Sequence, residues 1–324
     1  MKSFSMVLAL AARLTSAVLY PETSVNNHTC AIQDSKSVLS CSAKAVPSVS
    51  DSCCVETFGG LLLFTQFWNT HTGLEDQGQL LPESTWTLHG LWPDFCNGSY
   101  TQYCDLTRQY DRFPSPNVTN WPAPNTQVPA YSGPSIADFV KEFGRDDLLE
   151  YMNTYWVAQG QPSYEFWEHE FAKQLVSPPL TAIPCYGPKY QKNQEVVDFF
   201  DTAIMYYRQT PTWQWLNSAG IVPSNTTAYS LQAIQTALSS SYGALPYLGC
   251  SGPRYNETAA GAGSLDNGRT ALSEAWYYAH VYGRPQDGNT VPLNASGSVT
   301  SCATTPGAVW YYEPSPKAVR KAAA

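Results

Sequence analysis

Two short runs concentrate the groups in this chain that can move protons. Trp86-Thr87-Leu88-His89-Gly90-Leu91-Trp92-Pro93 sets one imidazole in an apolar, aromatic frame. Phe166-Trp167-Glu168-His169-Glu170-Phe171-Ala172-Lys173 sets another beside two carboxylates and an ammonium group. Imidazole exchanges protons near neutral pH, so two of them suit a reaction needing one donor and one acceptor. On a helix, His169 and Lys173 share a face, and Glu170 lies about 100° round from His169. A lysine and a carboxylate so placed would stabilise a charged transition state. Two blander readings compete: a core histidine satisfied by a carbonyl, and a solvated i,i+4 pair. The tryptophans and phenylalanines around both histidines weigh against them. A glycosidase built on Glu168 and Glu170 is a distant third, because these two helical carboxylates do not face each other across a sugar. Neither a CxxC pair nor an HExxH run is present, so no metal site is expected.

The elements that must position these groups read as an α+β pattern. Phe58 to Trp68 is expected to be a buried strand, and Thr85 to Leu91 a second strand ended by Trp92-Pro93. Residues 113 to 134, rich in Pro, Asn, Ser and Thr, read as a surface loop. Ser135 is a plausible N-cap for a helix running to about Tyr155, with Ile136, Phe139, Val140, Phe143 and Leu148 on one side. Tyr164 to Leu175 reads as a helix stopped by Pro178-Pro179; Glu195 to Trp215 and Ala228 to Ser239 also read as helices. Leu245 to Cys250 and Leu272 to Tyr282 read as later strands, and Lys317 to Ala324 as a frayed tail.

The composition sets limits on the class. With 43% hydrophobic and only 14% charged residues, the chain can bury a sizeable core and is neither disordered nor coiled coil. A net charge of −8 gives a poor global field for a polyanion, so any nucleic acid must be held by local groups. Residues 1–17 read as a secretory signal: Lys2, then the apolar run Met6 to Ala12, then Thr15-Ser16-Ala17. Sequons at Asn27, Asn97, Asn117, Asn225, Asn256 and Asn294, together with nine cysteines, suit an exported glycoprotein. No later segment approaches the ~20 apolar residues of a membrane helix.

The two histidine runs resemble the two active-site signatures of the ribonuclease T2 family. The cysteine positions extend the resemblance over roughly residues 30 to 312. It implies a central antiparallel sheet packed with helices, in one domain over residues 18–324. It also implies a metal-independent endoribonuclease acting on single-stranded RNA, not DNA, without cofactor. A secreted or vacuolar location without membrane follows from the signal and sequons, and a monomer is the default. RNA supplies its own nucleophile, the 2′-hydroxyl. The expected product is a 2′,3′-cyclic phosphate, hydrolysed more slowly to a 3′-phosphate. By resemblance His89 is the general acid, His169 helps bind the phosphate, and Glu170 and Lys173 stabilise the transition state. Trp92, Asp94 and Tyr100 match a first base pocket in which Asp94 favours adenine. Phe166 resembles a wall of the second base site, which Gln66 also faces. The implied disulfides are Cys30–Cys54, Cys41–Cys96, Cys53–Cys185 and Cys250–Cys302.

The second signature then departs from the family. After the lysine the family continues with histidine, glycine, threonine and cysteine; this chain reads Gln174-Leu175-Val176-Ser177. The missing histidine is the one assigned to activate the 2′-hydroxyl, and glutamine cannot take its proton. The missing cysteine leaves Cys104 without a partner. Two function classes follow: a weakened endoribonuclease, or a catalytically disabled RNA- or protein-binding member of the same fold.

Overall fold

The computed structural model describes residues 30, 34–174, 178–252 and 269–320. The signal segment expected at 1–17, Asn27, Asn256, Leu175 to Ser177 and the last four residues lie outside that set. The strands are β1 (Leu61–Phe67), β2 (Thr87–Asp94), β3 (Val118–Thr119), β4 (Thr126–Gln127), β5 (Ala228–Tyr229), β6 (Tyr247–Ser251), β7 (Thr270–Val281), β8 (Thr290–Leu293) and β9 (Val309–Trp310). The helices are α1 (Ile136–Glu142), α2 (Asp146–Tyr155), α3 (Ser163–Lys173), α4 (Pro178–Thr181), α5 (Gln194–Gln209), α6 (Thr212–Ser218) and α7 (Leu231–Tyr242).

The α+β expectation holds. β2, β1 and β7 are successive antiparallel neighbours, and β6 and β8 also pair antiparallel with β7. The short β7–β9 contact is parallel, the one such pair among the described strands of the sheet. Alternation along β1 gives the sheet two faces. Leu62, Phe64 and Gln66 point toward the helices, where Phe64 stacks on Tyr206 of α5 at 4.4 Å between centroids. Phe67 points the other way, onto His89. A contiguous apolar cluster joins this inner face to α1, α2, α3, α5, α6 and α7.

Several boundaries differ from expectation, each for a local reason. β2 runs through Pro93 to Asp94, because it is the edge strand and a proline without an N–H is tolerated there. The helix expected from Ser135 to Tyr155 is two helices, divided where Gly144 takes a φ of +64°. Its start is as expected: Ser135 accepts the Ala137 N–H, and Asp138 closes a capping box. Pro211 parts α5 from α6 by removing a helical donor. Ala228 and Tyr229 pair as a strand, and α7 begins only after the Ser230 cap. α3 ends at Lys173, before the prolines, and Pro178 begins α4. Within the loop at 113 to 134, β3 and β4 pair as a small ladder. The tail is docked as far as Arg320: Leu81 N–H donates to Ala318 at 2.6 Å, and Arg320 N–H returns to Leu81 at 2.8 Å. Ala318 is fully buried.

The four implied disulfides are all present. Cys104 is free and half-buried, its Sγ 3.5 Å from Thr101 Oγ1, and burial pushes its thiol above the usual range. Titration of the denatured, unreduced protein with a thiol reagent is therefore expected to find one thiol per chain. A count of zero would overturn the pairing.

Candidate active site

α3 lies against the edge strand β2, and the contact is made by a carboxylate. Glu170 is 2% exposed. A buried carboxylate is expensive unless it is hydrogen-bonded and charge-compensated. Here the Trp92 indole N–H donates to Glu170 Oε2 at 2.8 Å, and His89 Nε2 lies 3.6 Å from Oε1. Burial raises the Glu170 carboxyl; His169, the Trp92 hydrogen bond and Lys173 oppose that rise. The close approach requires a glycine in β2, since a Cβ on Gly90 would overlap the Glu170 carboxylate.

His89 owes its aim to an irregularity in β2. Gly90 pairs with Thr65 and Leu88 with Gln66, so His89 is an extra residue without a partner on β1. Such a bulge re-aims a side chain and frees a carbonyl. The freed His89 carbonyl accepts the Trp156 indole N–H at 2.8 Å. The imidazole stacks on Phe67 at 3.9 Å, meets Trp92 edge-on at 4.7 Å, and has Phe166 at 5.7 Å. It remains 15% exposed. Burial, then the charges of Lys173 and His169, hold His89 well below the ordinary imidazole value.

His169 is 21% exposed and held differently. Its Nδ1 lies 2.7 Å from Asp111 Oδ2, and the Tyr103 hydroxyl donates to the same oxygen at 2.8 Å. Asp111 also accepts the Phe113 N–H at 2.8 Å. Burial alone would raise the Asp111 carboxyl, but the hydrogen bonds from His169 and Tyr103 outweigh it and hold the group low. An ionised Asp111 fixes the Nδ1–H tautomer and leaves Nε2 to exchange protons. Neither Asp111 nor Tyr103 carries a motif signal, and only the folded loop from 103 to 113 brings them in. Glu168 leaves the site: it pairs with Arg112 at 3.1 Å.

Lys173 closes α3, its carbonyl accepting the Tyr103 N–H at 3.2 Å. Gln174 is the buried C-cap, with its backbone N–H on the Glu170 carbonyl at 3.2 Å.

The expected base-binding residues divide. Trp92 and Phe166 flank His89. Asp94, at the end of β2, is pushed up to about 7 by burial. Tyr100 stands 66% exposed in a hollow of about 560 Å³ lined also by Phe58, Phe95 and Trp121. Gln66 is a correction. Its amide donates to the Thr210 carbonyl at 2.7 Å and hydroxyl at 2.8 Å, and accepts from Thr212 at 2.8 Å. It points to the helix side of β1 and ties down the α5–α6 junction, leaving nothing to offer a base.

A sequence profile of the ribonuclease T2 family matches residues 59–277. Ribonuclease Trv of Hypocrea rufa is 35% identical over 280 residues, covering 86% of this chain and 97% of that protein. A ribonuclease T2-like protein of Aspergillus fumigatus is 34% identical over 284 residues, covering 88% of this chain. This chain spans only 57% of that longer relative. Among solved structures, the T2 ribonuclease Actibind superposes with a TM-score of 0.63 at 27% identity, covering 87% of this chain and 98% of its own. The chain belongs to the ribonuclease T2 family.

The Gly90 requirement is directly testable. Gly90→Ala forces Glu170 and Trp92 apart and is expected to lower stability by ~1–3 kcal/mol, the range for overpacking a core. Urea unfolding measures it; an unchanged midpoint and slope would show that α3 does not need this approach.

Proposed function

We propose that this protein is a weakened, metal-independent endoribonuclease acting on single-stranded RNA. The observation that carries the proposal is the 3.6 Å approach of His89 to the buried Glu170, with His169 and Lys173 of the same helix near enough to act on the charge of both. A phosphodiester held there meets a proton donor, a proton acceptor and a lysine. DNA lacks the 2′-hydroxyl and offers no nucleophile.

The reaction needs one proton removed and one supplied. The 2′-oxygen attacks phosphorus and loses its proton to a base, the bond from phosphorus to O5′ breaks, and O5′ gains a proton from His89. The cyclic phosphate is then opened by water, with the two roles exchanged. In the family, a histidine at position 174 would be the base. With glutamine there, the role falls to His169, whose Nε2 is free because Asp111 holds Nδ1. Lys173 balances the charge gathering on the phosphorane, and Glu170, whose carboxyl burial raises, can donate a hydrogen bond to it when protonated. Trp92 and Phe166 offer surfaces on which bases stack, at ~1–3 kcal/mol each.

The four described sequon asparagines, Asn97, Asn117, Asn225 and Asn294, are exposed, in keeping with a glycosylated secreted or vacuolar protein of one domain. No helix among the described residues is long and apolar enough to cross a membrane. Monomeric action is part of the same reading. A non-catalytic RNA- or protein-binding role is the competing reading, favoured by Gln174 alone.

One assay separates the two and sets the pH sign. As acid, His89 must carry a proton. Its affinity for that proton is lowered, so the competent fraction falls at a lower pH than for an ordinary imidazole, and cleavage should peak in the acid range and decline as pH rises. Purified protein should cleave homopolymer RNA, and His89→Ala should not. Gln174→His is expected to gain rate, up to the ~10²–10⁴-fold that a general base supplies. Equal rates for Gln174→His and wild type would show that position 174 does not limit the rate; no cleavage by wild type would favour the binding protein.

Asp94 gives a second pH signature. Below about 7 its carboxyl is neutral and can both donate and accept, matching the adjacent amine and ring nitrogen of adenine. Above that pH it only accepts. The preference for adenine over uracil homopolymers should narrow as pH rises through about 7, and Asp94→Asn should make it independent of pH. A flat ratio in wild type would remove Asp94 from base selection.

A further inference from the structure

A third carboxylate reaches the site from the centre of the sheet. Glu274 of β7 pairs in register with Phe67, the residue on which the His89 ring stacks. Its Oε1 lies 3.9 Å from His89 Nδ1. That nitrogen is buried and has no hydrogen-bond partner. The placement is built into the sheet. β6 is irregular at Gly249/Cys250, and Gly249 faces Glu274 across the ladder. A Cβ on Gly249 would stand 2.8 Å from Glu274 Cβ and 3.1 Å from its Oε2, so only glycine leaves the carboxylate its room.

We propose that Glu274 is a positioning residue for His89, accepting from Nδ1–H so that Nε2 is the nitrogen that exchanges protons with substrate. Each histidine of the site then has its own carboxylate: Asp111 for His169, Glu274 for His89. The need is greater at His89. The charged groups facing it are Glu170, His169 and Lys173 from α3 and Glu274 from β7; β1 contributes only the Phe67 ring. Burial, then the neighbouring Lys173 and His169, drive its proton off. Glu170 answers at Nε2, but that side must open to the leaving oxygen. Glu274 is the carboxylate that can remain in place through the reaction. Burial raises the Glu274 carboxyl, the Trp276 indole beside it opposes that rise, and Glu170 adds to it.

The inference rests on the reading of His89 as a proton donor, so the experiment separates the two. The His89 ring is titrated by NMR in wild type and in Glu274→Gln, and kcat and KM on homopolymer RNA are followed against pH in both. Glu274→Gln is expected to lower the His89 midpoint by about one pH unit, a tenfold loss of proton affinity. The alkaline limb of kcat should move down with it while KM changes little, and Glu274→Asp should recover part of both. A His89 midpoint unmoved in Glu274→Gln overturns the proposal whatever the protein does to RNA. A moved midpoint in a protein that does not cleave RNA keeps the proposal and sinks the functional reading. If Glu274→Gln fails to fold, Gly249→Ala crowds the same carboxylate and must move the same midpoint.

Discussion

A carboxylate buried where Glu170 lies would be driven off its helix position unless its charge and lone pairs were answered. The answers come from β2: the Trp92 indole and the His89 imidazole. This fixes α3 against the edge of the sheet to within a hydrogen-bond length. It also sets the spacing of every other group on that helix. Phe166 reaches the His89 ring from one turn earlier, His169 turns toward Asp111, and Lys173 falls one turn later. The edge strand, a liability in most sheets, is covered by this helix and so becomes one wall of the cleft.

The same contact depends on two departures from regular strand geometry. The bulge at His89 turns the imidazole onto Phe67, and Gly90 withdraws its side chain so that Glu170 can enter. The bulge also strands a carbonyl, which the Trp156 indole satisfies. Trp156 in turn accepts the Trp167 indole N–H on its own carbonyl at 2.8 Å. A chain of indole donors therefore links α3 through the end of α2 to the bulge. The tryptophans that mark the motifs in the sequence serve as hydrogen-bond donors as much as apolar bulk.

How far the sequence could be read follows from this division of labour. Periodicity and capping marked β1, β2, α1 and α3, because each carries a local signal: an apolar run or, for α1, the Ser135 cap. The reading slipped where one residue overrides a long pattern, as Gly144 does between α1 and α2, or where a strand's place at the edge licenses Pro93. His89, His169, Glu170 and Lys173 were legible because they sit inside dense motifs. Asp111, Tyr103 and Glu274 were not, because each reaches its histidine across the tertiary fold from a segment with no pattern of its own. Gln66 was misplaced for a simpler reason: alternation assigns it to the helix side of β1, opposite Phe67.

The electrostatics around His89 bear on how, in the proposed function, an acidic chain would hold a polyanionic substrate. At neutral pH the chain carries a net charge of −8. Yet Glu170, Glu274 and Asp94 all hold their protons more tightly than free carboxyls, in each case mainly because they are buried. As the medium acidifies, these three lose their charge before the exposed carboxylates do. The site therefore sheds negative charge ahead of the exposed surface. His89 gains its proton in the same direction. In the proposed reaction, burial couples two requirements that would otherwise need separate devices: the pH that would arm the proton donor also removes the negative charges that would repel the phosphate.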